Sequence, residues 1–198
     1  MCGITSLRDA QYAVNSGADA LGFVFYKPSP RYINPKDAAD IIKQLPPFVT
    51  SVGLFVDEPV SDIEQCIQIT QMDLLQFHGN ESAESCMQLS RPYIKAIRVK
   101  PGLDLNRAIA PYQQALGILL DTYLKGTPGG TGESFNWELI PDNLNKPIIL
   151  AGGLSADNIS DAINTVKPYA VDVSGGIESQ PGVKSQFKIS DFMKQIYL

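Results

Sequence analysis

Cys2 in "MCGIT" and Asp121 in "GILLDTYL" are residue types that can move protons, although they lie at distant points of the chain. A thiol with an ordinary pKa of about 8.5 becomes a usable base when a helix N-terminus or a cation lowers it. The plainer reading of Cys2 is a small buried residue near the terminus. Asp121 closes an apolar run, and a carboxyl at the end of a buried strand is partly desolvated. Its protonated form is then favoured, which suits a general acid near neutral pH; the plainer role is to cap the loop that follows. In "YKPSPRYINP", Pro28, Pro30 and Pro35 stiffen the chain around Arg31, whose planar fork fits a carboxylate. A surface salt bridge is the alternative there. The stretches "AGGLSADNI" and "SGGIESQPG" set Gly152 and Gly153, then Ser174, Gly175 and Gly176, where glycines leave backbone N–H groups uncovered. Such groups hold a phosphate without a lysine. His78 follows "LLQF" and either contacts a ligand or orients a loop; Asp57 and Asp172 bind ribose hydroxyls or hold neighbouring loops. A base and an acid facing a bound sugar phosphate are the equipment of an isomerase.

The elements that must position these groups follow from the apolar pattern. Continuous apolar runs recur as "ALGFVF", "SVGLFV", "LLQFHG", "YIKAIRV", "GILLDT", "PIILAGG" and "AVDVSGG". They lack strict alternation, as strands covered on both faces do. Their starts lie about 20 to 30 residues apart, the length of a strand and its return helix. Between them, "SLRDAQYAVNSGA" has Ser6 as cap and Gly17 as stop, and "NPKDAADIIKQL" has Asn34 as cap with Pro35 at the first helical position. "VSDIEQCIQIT" and "SAESCMQL" read as helices that bury Cys66 and Cys86 as small core residues. Trp137, in "FNWELI", packs with Phe135 at the start of a sixth helix. The glycine-rich "LKGTPGGTG" is suited to folding over a ligand, and it lacks the ending of a nucleotide-binding P-loop.

Seven strands are visible, and "MCGI" is the end of an eighth placed first, shortened to its last residues. Polar residues or glycine finish nearly every strand, which is the distribution of a closed (β/α)8 barrel with one functional mouth. An open doubly wound sheet would gather them at one crevice. The expected fold is therefore α/β, a single small barrel domain over residues 1–198. With only Met1 before Cys2, the sequence predicts a fraying first strand, and an apolar N-terminal extension would steady it.

Composition narrows the function classes. The chain has 198 residues and a formal net charge of −5, which argues against nucleic acid as the main ligand while permitting one local anion pocket. No apolar run approaches the roughly 18 residues that cross a bilayer, and no signal segment opens the chain. A soluble cytoplasmic protein is the expectation. Three cysteines without ligand spacing support neither a disulfide framework nor a metal site.

The set "CGIT...DA", "GADALGFVF", "SPRYI", "VGLFV", "LLQFHG", "LLDT", "GGTGESFNW", "ILAGGL" and "DVSGGIESQPGVK" resembles, in order and over almost the whole chain, the phosphoribosylanthranilate isomerase family of small phosphate-binding barrels. The resemblance implies an Amadori rearrangement in tryptophan biosynthesis, run without metal or organic cofactor. It implies Cys2 as general base, Asp121 as general acid, Arg31 as the contact to the anthranilate group, and Gly152, Gly153, Ser174 and Gly175 as the phosphate site. His78 and Asp172 join them as substrate-binding candidates. The partner is then a phosphoribosyl metabolite, with no nucleic acid or membrane, and the chain is a monomer or a homodimer. Two alternatives remain beside it: another phosphosugar barrel enzyme, or a protein that binds a phosphometabolite without turnover.

Overall fold

The computed structural model describes residues 1–122, 136–141 and 143–196. Strands β1 (Ala20–Val24), β2 (Thr50–Phe55), β3 (Leu74–Phe77), β4 (Tyr93–Val99), β5 (Ile118–Thr122), β6 (Ile148–Leu150) and β7 (Ala170–Val171) form one sheet in sequential order. All neighbours pair in parallel. The ring is completed by residues 1–4. Cys2 bridges Gly22 of β1 in parallel, and its N–H donates to the Val173 carbonyl at 2.9 Å. Gly22 N–H donates to Met1 O at 2.9 Å, Gly3 N–H to Gly22 O at 2.9 Å, and the Met1 ammonium to Ala20 O at 2.8 Å. The expected fraying is therefore absent: the short segment is hydrogen-bonded on both flanks, and Cys2 is only 7% exposed. This closure excludes the open doubly wound sheet.

The helices are α1 (Leu7–Asn15), α2 (Pro35–Ile42), α3 (Val60–Thr70), α4 (Ala83–Cys86), α5 (Leu105–Ile109), α6 (Ile159–Val166) and α7 (Gln186–Ile196). Their starts obey local chemistry. Ser6 accepts from Asp9 N–H at the head of α1, and Asn34 accepts from the N–H groups of Lys36 and Asp37, with Pro35 in the first turn of α2. Two elements are shorter than the pattern predicts. "SAESCMQL" gives the single turn α4, and the described part of "FNWELI" gives a 3-10 turn over Trp137–Leu139. Trp137 packs against the cluster around Leu154 and Ile159; Phe135 and the "LKGTPGGTG" loop lie outside the described residues. After β7 a 3-10 turn over Gly175–Ile177 leads into a small antiparallel hairpin, β8 (Glu178–Gln180) with β9 (Val183–Lys184).

The period of two along each strand sorts the side chains. Leu21, Phe23, Phe55, Leu75, Phe77 and Ile118 point outward into the main core beneath the helices. Cys2, Val24 and Leu54 form one inward cluster, while Ile94, Ala96, Leu119 and Ala151 form another. Both faces are thus apolar, so any polar residue on the inner face stands out.

Candidate active site

One pocket of about 360 Å³ opens at the C-terminal ends of the strands. Its lining includes Cys2, Arg31, His78, Asp121, Gly152, Gly153, Asp172, Ser174 and Gly175, so all the candidates read from the sequence except Asp57 meet at one mouth. Each arrives by its own element. Cys2 comes from the closing segment, Arg31 from the loop after β1, His78 from the end of β3, Asp121 from β5, and the glycines from the loops after β6 and β7.

Asp121 is 4% exposed, and its Oδ2 lies 3.0 Å from His78 Nε2. The other ring nitrogen of His78, Nδ1, lies 3.0 Å from the Gln76 amide nitrogen. An amide N–H only donates, so Gln76 makes Nδ1 the acceptor and leaves the ring proton on Nε2, aimed at the carboxylate. His78 thus lines the pocket and at the same time holds the Asp121 carboxyl group through Nε2. Residues 76 and 78 share a face because the strand repeats every two residues. Asp57 has the loop role, since it accepts from Asn80 N–H at 2.6 Å, and it does not line the pocket.

Cys2 differs from its expectation. Burial pushes the thiol up to about 12, Asp172 adds to the rise, and Lys184, the terminal ammonium and Arg31 oppose it. The protonated thiol is favoured, because a thiolate this deeply buried loses its hydration and the nearby cations only partly replace it. No lowering toward neutrality is present. Gly22 explains how the thiol fits: a Cβ there would sit 2.8 Å from Cys2 Sγ.

At the phosphate end, Gly152 and Gly153 have φ of 82° and 67°. Among the described residues neither N–H finds a backbone acceptor. Gly176 lets the two loops touch, since a Cβ at that position would meet Leu154 O at 1.9 Å. Arg31 lines the pocket and is also ion-paired, though in a buried pair and not the surface salt bridge weighed from the sequence. Its Nε and Nη2 donate to the two carboxylate oxygens of Glu178, each at 2.8 Å. Sequence reasoning missed Glu178, Lys184 and Gln76. Gln76 had a signal, a polar residue inside an otherwise apolar strand; Glu178 lies 147 positions from the arginine it holds. Arg98 also reaches the pocket, where Nη2 donates to His78 O at 3.1 Å and Nε is buried with no hydrogen-bond partner among the described residues.

Among the described residues no group of three or more His, Cys, Asp or Glu could hold a metal ion, and no helix is long and apolar enough to cross a membrane. The family profile described as N-(5'phosphoribosyl)anthranilate (PRA) isomerase matches residues 1–195. The chain belongs to this family. Among PRA isomerases it is 55% identical to a Pseudomonas putida N-(5'-phosphoribosyl)anthranilate isomerase over 196 residues, covering 99% of this chain and 95% of that one. It is 56% identical to a Pseudomonas fluorescens counterpart, covering 99% and 93%. The phosphoribosyl anthranilate isomerase of Thermotoga maritima superposes with a TM-score of 0.92 at 42% identity, covering 100% of this chain and 97% of that one. A phosphoribosyl anthranilate isomerase in complex with reduced 1-(o-carboxyphenylamino)-1-deoxyribulose 5-phosphate gives a TM-score of 0.88 at 42% identity, with coverage of 99% and 96%.

Proposed function

We propose that this chain isomerises N-(5'-phosphoribosyl)anthranilate to 1-(2-carboxyphenylamino)-1-deoxyribulose 5-phosphate in tryptophan biosynthesis, with Asp121 as general acid and Cys2 as general base. The observation that carries the reading is the convergence of a thiol, a hydrogen-bonded carboxyl group and two uncovered glycine amides on one pocket. In this reading the amides of Gly152 and Gly153, with those of the Ser174 and Gly175 turn, take the phosphate, Arg31 takes the aromatic carboxylate and Asp172 takes the ribose hydroxyls.

Asp121 donates a proton to the furanose ring oxygen as the C1'–O bond breaks, and the nitrogen lone pair forms the C1'=N Schiff base. His78, donating to Oδ2, fixes the orientation of the carboxyl group for this transfer. Cys2 then takes the C2' proton, and the C–H electrons move to give the enolamine. Loss of the C2' hydroxyl proton and protonation at C1' yield the ketone. Because the buried thiol is protonated, it must first give its proton to solvent before it can act as base, and charge that develops later favours that loss. The cationic Schiff base supplies that charge beside Arg31 and Lys184, which already draw the thiol downward. The order follows from the electrostatics: ring opening precedes proton abstraction.

Purified protein should consume the fluorescence of phosphoribosylanthranilate. Cys2→Ala and Asp121→Asn should each lower kcat by about 10²- to 10⁴-fold with KM little changed. Tight phosphosugar binding with no turnover by the wild type would refute the reading in favour of a metabolite-binding protein. The cytoplasmic location is part of the proposal, supported by three cysteines that are all unpaired. The choice between monomer and homodimer is read by sedimentation velocity.

A further inference from the structure

Arg31, Glu178 and Lys184 form a buried trio. The side chain of Arg31 is 13% exposed, that of Glu178 5%, and that of Lys184 0%. Glu178 takes the side edge of the guanidinium, formed by Nε and Nη2. The end edge, Nη1 with the second Nη2 hydrogen, is the one with which a pocket-lining arginine can meet a ligand. A guanidinium neutralised by one carboxylate would attract a second carboxylate weakly. Lys184 corrects this: its Nζ lies 2.9 Å from Glu178 Oε1, so two cations and one anion leave the trio at net +1. The same Nζ donates to Ser174 O at 3.1 Å, which joins the trio to the phosphate turn.

The rest of the hairpin is fitted to this task. Asp9 Oδ2 accepts from Lys184 N–H at 3.0 Å, and Thr5 Oγ1 donates to Gly182 O at 2.6 Å. Gly182, at φ +82°, lies so close to the arginine loop that a Cβ would stand 2.6 Å from Pro30 O. Burial works against the Glu178 carboxylate, yet the hydrogen bonds and charges of Arg31 and Lys184 outweigh it and hold its pKa below the ordinary value. Burial also pulls the Lys184 ammonium down, and Glu178 opposes that pull. Ser174 O, Glu178 Oε1 and, at 3.5 Å, Ser174 Oγ surround Nζ, one oxygen for each N–H of an ammonium, and the adjoining Glu178 carboxylate favours that charged form.

We propose that Glu178 and Lys184 are positioning residues that make the enzyme selective for a substrate bearing an aromatic carboxylate. Glu178 locks the side edge of Arg31 and so aims its end edge, while Lys184 keeps the trio cationic until the substrate carboxylate completes its charge balance. The inference rests on the reading that Arg31 meets that carboxylate.

The test compares N-(5'-phosphoribosyl)anthranilate with N-(5'-phosphoribosyl)aniline, which has the same sugar phosphate and no carboxylate. The wild type should prefer the first by about 10- to 100-fold in kcat/KM, or by the same factor in inhibition where the aniline adduct turns over too slowly. Glu178→Asp keeps the charge but is one methylene too short for a two-point contact. Lys184→Met takes the trio to neutrality, and the double variant Glu178→Gln with Lys184→Met restores net +1 without the clamp. Each should lose about fivefold or more of the preference; Glu178→Asp should do so mainly through KM for the carboxylate substrate, whereas the two variants that lack Lys184 should also lower kcat on both substrates, because Lys184 draws the Cys2 thiol downward and holds Ser174 O. If Glu178→Asp and the double variant keep the wild-type preference, or lose both substrates equally, the trio is only structural and the inference fails. A wild type without any preference also overturns it. A wild type that turns over neither substrate refutes instead the isomerase reading.

Discussion

Gly176→Ala is the substitution whose consequence is most directly set by the geometry. The new Cβ would stand 1.9 Å from Leu154 O, 3.0 Å from Leu154 C and 3.1 Å from Ser155 Cα, where ordinary contact begins at 3.4 Å. All three neighbours are backbone, so no side chain can swing aside. The loops after β6 and β7 must therefore separate by about 1.5 Å. Those loops carry the amides assigned to the phosphate, and a displacement of this size removes at least one charge-assisted hydrogen bond of about 1.5 to 3 kcal/mol. Affinity for the phosphate end should fall about 10- to 100-fold. Overpacking should also cost about 1 to 3 kcal/mol of stability, a drop of about 3 to 10 °C in Tm. The assays are the decay of phosphoribosylanthranilate fluorescence, competition by inorganic phosphate, and thermal unfolding followed by circular dichroism. A folded variant with KM and phosphate inhibition within about twofold of wild type would refute the claim that these two loops grip the phosphate together.

The Cys2 thiol, pushed up to about 12, should react with iodoacetamide at a rate that rises about tenfold per pH unit between pH 7 and 10, resolved by peptide mapping. A plateau below pH 9 would mean that the free protein already activates the thiol. Lys167 ends α6 at φ 49°, a left-handed position that favours glycine, so Lys167→Gly should stabilise by about 0.5 to 1 kcal/mol. The Tm should then rise by about 1 to 4 °C in a thermal scan, and a fall would place the strain elsewhere.

The strands were legible because burial on both faces erases alternation, and the runs from "ALGFVF" to "AVDVSGG" show this directly. Caps at Ser6 and Asn34 were equally plain, since their hydrogen bonds span two or three residues. Length was less legible where tertiary context decides: "FNWELI" has the composition of a helix, yet its described part forms a 3-10 turn. Individual site residues were visible from their types at strand ends. Their partners were not. The Arg31 to Glu178 clamp joins residues 147 positions apart, and the His78 to Asp121 contact joins residues 43 apart, so neither leaves a local pattern. The protonation of Cys2 depends on the summed effect of burial and four charged neighbours, which no spacing in the sequence records.

The hydrogen bond from Cys2 N–H to Val173 O makes the second residue of the chain depend on one near its far end. Contacts of such long sequence separation form late in folding, after loop entropy has been overcome. The Cys2 thiol therefore takes its place only when the first and last parts of the ring join. Recovery of turnover after dilution from denaturant is accordingly a clock for that final junction, and it should lag behind the return of helical circular dichroism.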